Sequence, residues 1–161
     1  MVFVGGVTKL GSEAALSVLD PRFLNLVPGF FATGCEESVH SLSSLLGLCF
    51  AQGLSTEELY LMLGYNVSVP PYVRQALFSR TFDNDDLLPR IHKPILIVHG
   101  AEEAVVKPDV VKQHKAALAR AQIQIMPSAG HGAFWDDAAA FNQHLRAFSG
   151  SLEAHMAVST A

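Results

Sequence analysis

Two short stretches hold residues that can move protons. Gly100-Ala101-Glu102-Glu103-Ala104 follows the apolar run Ile95-Leu96-Ile97-Val98, and Pro127-Ser128-Ala129-Gly130-His131-Gly132 follows a second run, Ile123-Gln124-Ile125-Met126. Short runs of branched aliphatic residues between turn formers read as strands. A carboxylate at the end of one parallel strand and a histidine at the end of the next lie side by side, as an orienting acid and a general base require. Histidine suits the second role because its ordinary pKa, about 6.5, lets it take and return a proton at neutral pH. Gly130 and Gly132 permit a tight loop that projects His131. The plainer alternatives are a structural loop histidine and a solvent-facing glutamate pair. His99 reads as filling space at a strand end.

The elements that must position these groups follow from pattern. Val2 to Val4, stopped by Gly5-Gly6, reads as a strand buried on both faces. Ser12 caps a short helix to Leu19, and Asp20-Pro21 breaks it. A helix from about Glu36 to Gln52 carries Val39, Leu42, Leu45, Leu46, Cys49 and Phe50 on one side, with Gly53 as its stop. Ser55-Thr56-Glu57-Glu58 is a capping box that opens a helix ended by Gly64. Pro70-Pro71 starts another, running to Arg80, and Asp83 to Arg90 is a loop in which Asp85 and Asp86 cap the approach to the next strand.

Pro108-Asp109 begins a helix to about Arg120, between the two strand runs. The last helix, about Trp135 to Phe148, places Phe134, Ala138, Phe141, Leu145 and Phe148 on one apolar stripe, so these aromatic residues are expected in the core. Residues 151–161 read as a frayed tail. Strand, helix, strand, helix with short links means parallel strands and right-handed crossovers. The expected class is α/β. Residues 1–9 and 89–150 form the sheet layer, and 10–88 form a helical insertion.

Composition narrows the function classes. The 161 residues fit one domain, and 16% charged against a typical value of about 25% leaves the chain short of solvated surface. A net charge of -4 without a Lys/Arg cluster argues against nucleic acid and anionic membrane as partners. No window approaches the roughly 18 apolar residues of a membrane span, and the start lacks a basic leader region, so a cytoplasmic location is the expectation. Cys35 and Cys49 have neither disulfide-framework nor zinc spacing and read as buried thiols. The seven histidines are scattered, and Gly5-Gly6 opens no Gly-x-Gly-x-x-Gly, so neither metal nor nucleotide cofactor is expected.

Pro94 to Gly100, the acidic turn after it, and Gly130-His131 followed by Phe134-Trp135-Asp136-Asp137 together resemble the C-terminal half of an esterase-type α/β-hydrolase with a helical lid. The resemblance spans about residues 1–150. It implies a partial α/β-hydrolase fold in which Val2–Val4, Ile95–Val98 and Ile123–Met126 are the sixth to eighth strands and 10–88 is the lid. It also implies Glu103 as the triad acid and His131 as the triad base. The family more often has Asp at the acid position, and Glu102 beside Glu103 is the other candidate.

The family's nucleophile motif, Gly-x-Ser-x-Gly, does not occur. Gly53-Leu54-Ser55 and Gly47-Leu48-Cys49 are partial matches, better read as a helix cap and as core packing. Two readings follow. In the first, the chain holds the acid and histidine of a hydrolase of carboxylic esters or related acyl compounds, and an N-terminal lobe brings the serine. In the second, it is a non-catalytic lobe or partner-dependent binding module, with an exposed first strand suited to a homo-oligomer. The apolar residues Phe30, Phe31, Leu61, Met62 and Tyr65 suit either an acyl pocket or packing of the lid on the sheet.

Overall fold

The computed structural model describes residues 1–159, with side chains through Leu152; the last two residues of the expected tail lie outside the described residues. In chain order the elements are β1 (Val2–Val4), β2 (Lys9–Leu10), α1 (Glu13–Ser17), α2 (Pro21–Phe30), α3 (Cys35–Cys49), α4 (Thr56–Ser68) and α5 (Pro71–Phe78). They continue with β3 (Phe82–Asp83), a 3-10 helix over Asp85–Arg90, β4 (Leu96–Gly100), α6 (Asp109–Ala117), β5 (Gln122–Met126), α7 (Ala133–Asp136) and α8 (Ala138–Ser159).

Helix starts follow the capping residues. Ser12 Oγ accepts the Ala15 N–H at 3.1 Å. Ser55 and Glu58 form a reciprocal capping box, with Ser55 N–H donating to Glu58 Oε2 at 2.8 Å. Asp20-Pro21 is more than the expected break. Asp20 Oδ1 accepts the Arg22 N–H at 2.8 Å and Pro21 occupies the first turn, so the residues that end α1 begin α2. Gly64 does not end α4, which runs to Ser68. One interior glycine costs only about 1 kcal/mol, and the following residues continue the turn. The stretch 85–90, expected as loop, is a 3-10 helix.

The largest correction concerns the C-terminal helix. It breaks at Asp137, whose backbone leaves the helical region at φ -142 and ψ 77, and α8 then continues past residue 151 to Ser159. The break swings Phe134 and Trp135 outward. They are 51% and 41% exposed, not core, while Phe148 is buried.

β1, β4 and β5 form a parallel sheet in the order β1-β4-β5, with Phe3 opposite Ile97 and His99 opposite Ile125. β4 is buried along its length. Its alternate residues serve two apolar clusters: Ile97 packs with Val110, Val111 and Leu118, whereas Leu96 and Val98 pack with Met126, Ala133 and Phe148. Full burial of each such aliphatic side chain contributes about 1.5–3 kcal/mol. β1 pairs on one side only among the described residues and Val2 is 38% exposed, so it is an edge strand, not the fully buried strand expected.

Between β1 and β4 the chain forms α1 to α5, and Phe23, Phe30 and Leu42 share one buried cluster with Ile97 and Val110. β2 pairs antiparallel with β3, bringing Leu10 against Phe82. Thr8 and Lys9 both bond to the Asp85 carboxylate. Helices α2 and α5 pack through the rings of Phe23, Phe30, Phe31 and Phe78, with centroids 5.7 to 6.3 Å apart. Arg74 is buried among them and donates to the carbonyls of Phe30, Asn66 and Val69 and to Ser38 Oγ.

Candidate active site

Parallel pairing of β4 with β5 sets Gly100 opposite Met126, so the loops that leave them start together. Ala101 N–H donates to the Met126 carbonyl at 2.9 Å and Glu102 N–H to the Ala129 carbonyl at 3.0 Å. The acid-bearing loop is also pinned from the other side. Asp20 N–H donates to the Val105 carbonyl at 2.9 Å and Lys107 N–H to the Val18 carbonyl at 2.8 Å. Loop position here is fixed by backbone on both flanks.

Within that frame the Glu103 side chain is fully buried. Its Oε1 accepts the N–H groups of Val105 at 2.7 Å and Val106 at 3.2 Å. Its Oε2 lies 2.9 Å from Nδ1 of His131, whose side chain is 34% exposed. With Glu103 ionised, His131 Nδ1 carries the proton and donates it, which leaves Nε2 as a free acceptor. Burial alone raises the Glu103 carboxyl, yet the hydrogen bond and charge of His131, with the two backbone N–H donors, hold it below the usual range. Glu102, exposed on the same turn, makes no side-chain bond among the described residues. Of the two candidate acids, Glu103 is the one that meets the histidine.

The end of β1 joins the pair. Gly5 has φ +52, and a Cβ there would stand 2.9 Å from His131 Nδ1 and 3.2 Å from Glu103 Oε2. Only glycine admits both that backbone and that closeness. From the sequence, Gly5 read merely as the stop of a strand. Gly130 and Gly132 also do a different task from the one expected, since neither has a positive φ. A Cβ on Gly130 would approach the Cys49 carbonyl to 3.0 Å, and one on Gly132 would enter the Phe50 ring at 2.3 Å. They are small because the end of α3 lies against the histidine loop.

Cys49 stands at that contact. Burial, with the Glu103 and Asp136 carboxylates nearby, pushes its thiol up to about 12. It is held protonated and is no nucleophile at neutral pH. Cys35, expected buried, is exposed. His99 is buried at the end of β4. Its Nε2, like that of buried His114, has no partner among the described residues, and burial pushes both rings down. A cavity of about 470 Å³ adjoins the loops, lined by Arg22, Leu48, Phe50, Gln52, Glu102 and Ser128. Among the described residues no three His, Cys, Asp or Glu side chains gather as a metal site, and no helix is long and apolar enough to cross a membrane.

No protein-family model matches the chain, and no curated protein matches it. Solved structures do. An esterase from a Rhodococcus species superposes with a TM-score of 0.84 at 27% identity, over 94% of this chain and 55% of that one. The chain has part of the α/β-hydrolase fold. A bromoperoxidase from Bacillus anthracis matches with a TM-score of 0.75 at 20% identity, over 92% of this chain and 57% of that one. A hydrolase from Pseudomonas aeruginosa gives 0.70 at 19% identity, over 92% and 54%. The chain thus spans little more than half the length of these α/β-hydrolases, and its structural neighbours include esterases, hydrolases and a bromoperoxidase.

Proposed function

We propose that this chain supplies the acid and base of a Ser-His-acid triad that hydrolyses carboxylic esters or related acyl compounds, with the serine brought by a preceding segment. The observation that carries the reading is the 2.9 Å contact between buried Glu103 and part-exposed His131 at the ends of adjacent parallel strands. In this reading His131 Nε2 takes the proton of the serine hydroxyl as its oxygen attacks the ester carbonyl. The imidazolium then returns that proton to the departing alcohol, leaving an acyl-enzyme. Water repeats the sequence: His131 accepts its proton as the oxygen attacks the acyl carbon, then returns that proton to the departing serine oxygen as the acid product leaves. Glu103 stays ionised throughout. It fixes the tautomer and stabilises the transient imidazolium.

Residues 10–88 act in this reading as a lid over the acyl group. Phe30 is fully buried against Phe23 and Phe78, which favours a packing role for it, whereas Leu61 and Tyr65 are 53% and 67% exposed and available to substrate. The test uses p-nitrophenyl esters. The chain alone is expected to give no turnover above background. The chain extended upstream through a strand, Gly-x-Ser-x-Gly and helix is expected to hydrolyse them, and His131→Ala to abolish it. An extended chain that is inactive, or an upstream frame encoding no such motif, overturns the reading.

A further inference from the structure

Both peptide N–H groups that flank His131 are held by atoms outside its loop. Gly132 N–H donates to the Cys49 carbonyl, in the last turn of α3, at 2.7 Å. Gly130 N–H donates to Asp136 Oδ2, also at 2.7 Å. The same carboxylate faces the chain leaving α3, where Ala51 N–H donates to Oδ2 and Gln52 N–H to Oδ1, each at 3.0 Å. Gln52 Nε2 adds a bond to the Ser128 carbonyl at 2.7 Å. One side chain therefore gathers three backbone donors from two segments that are distant in sequence.

Nothing local explains a carboxylate here. Asp136 is the last residue of α7, the end at which a helix favours positive charge. Its neighbour Asp137 does the ordinary local work, accepting the Ala140 N–H at 2.9 Å at the start of α8. Three N–H groups converging on one group demand an acceptor-only side chain with two oxygens. Asparagine offers one oxygen and turns an NH2 toward the remaining donors. Bonds to an ionised acceptor are also about twice as strong as neutral ones. The closeness that makes Gly130 and Gly132 necessary is the closeness this carboxylate bridges.

We propose that Asp136 is a positioning residue for His131: it ties the histidine loop to the end of α3 and so holds the imidazole against Glu103. The proposal rests on the reading of His131 as the base. Asp136 touches no reacting atom and acts through Gly130.

Nuclear magnetic resonance on the 161-residue chain tests this without catalysis, through two readouts. The first is hydrogen exchange of the Ala51, Gln52 and Gly130 amides. The second is the downfield Nδ1 proton of His131 bonded to Glu103. In the wild type the three amides are expected to be protected and the proton visible. In Asp136→Ala, and in the shape-conserving Asp136→Asn should the first not fold, the three amides should exchange at least tenfold faster. The Nδ1 proton should broaden or vanish, while the amides between β4 and β5 keep their protection. Two outcomes overturn the proposal: the three amides retain their protection in the variants, or they lose it while the Nδ1 proton is unchanged, which makes Asp136 a structural tie alone. Glu103→Gln separates the two readings. It should remove the Nδ1 proton and leave the three amides protected. Absence of that proton in the wild type counts against the base reading, with the amide readout still deciding whether Asp136 holds the loop.

Discussion

Glu103 remains ionised inside the protein because its oxygens meet the Val105 and Val106 N–H groups and the His131 ring. Two residue-scale predictions follow from the groups around it. Cys49, pushed up to about 12 by burial, is almost entirely thiol at pH 8, whereas Cys35 is exposed. An aromatic disulfide reagent should therefore label one thiol per native chain quickly and the second only on unfolding; fast labelling of both would contradict this burial. The second prediction concerns pH. Burial holds His99 below its ordinary value against the pull of Glu103 and with the push of His131. Burial likewise lowers His114, opposed by Asp85 and aided by His99 and Lys9. The unfolded chain then binds protons that the folded chain refuses, from about pH 6.5 downward, so stability present above that pH is lost as the medium acidifies. Melting temperatures should start to fall below about pH 6.5, before the Glu103 loss that sets in below about pH 4.3. His114→Phe should flatten the first slope, and an identical slope in that variant would refute the assignment. Glu103 and His131 were legible because each follows a strand run at a short interval. The part of Gly5 was hidden, since it depends on β1 pairing with β4, a contact between residues nearly a hundred positions apart.

Among the elements, local chemistry wrote its own starts. The Ser55 capping box and the Pro71 first turn could be read directly because their hydrogen bonds lie within a few residues. Stops were harder. Gly64 and Asp20-Pro21 carry the same residue types whether a helix ends, continues or begins, and neighbouring packing decides which. The break at Asp137 was invisible in an apolar stripe whose spacing suits one straight helix. Arg74 illustrates a contact of another kind, a buried guanidinium that satisfies three carbonyls and Ser38 from the preceding helices. Arg74→Met keeps the stem and strips every one of these bonds. It should destabilise the chain by about 3 kcal/mol in urea unfolding, because buried carbonyls lose an ionised donor. A change below about 0.5 kcal/mol, within the range of ordinary surface substitutions, would show that the helices hold without it.

At the scale of the molecule, sparse charge and half-hydrophobic composition meet a sheet with β1 at its edge and Val2 partly uncovered. An apolar parallel edge is a template for another strand. The purified chain is expected to sediment as oligomers, and a monodisperse monomer with one cooperative melting transition would contradict that. In the proposed reading, Glu103 and His131, 2.9 Å apart, are two members of a three-member site that a serine completes. A fluorophosphonate reacts covalently with a serine activated in this way. In the chain extended upstream through Gly-x-Ser-x-Gly, mass spectrometry should find the adduct on that serine, formed at least about 10³-fold more slowly in His131→Ala. An adduct within residues 1–161, or a labelling rate untouched by loss of His131, would contradict the account.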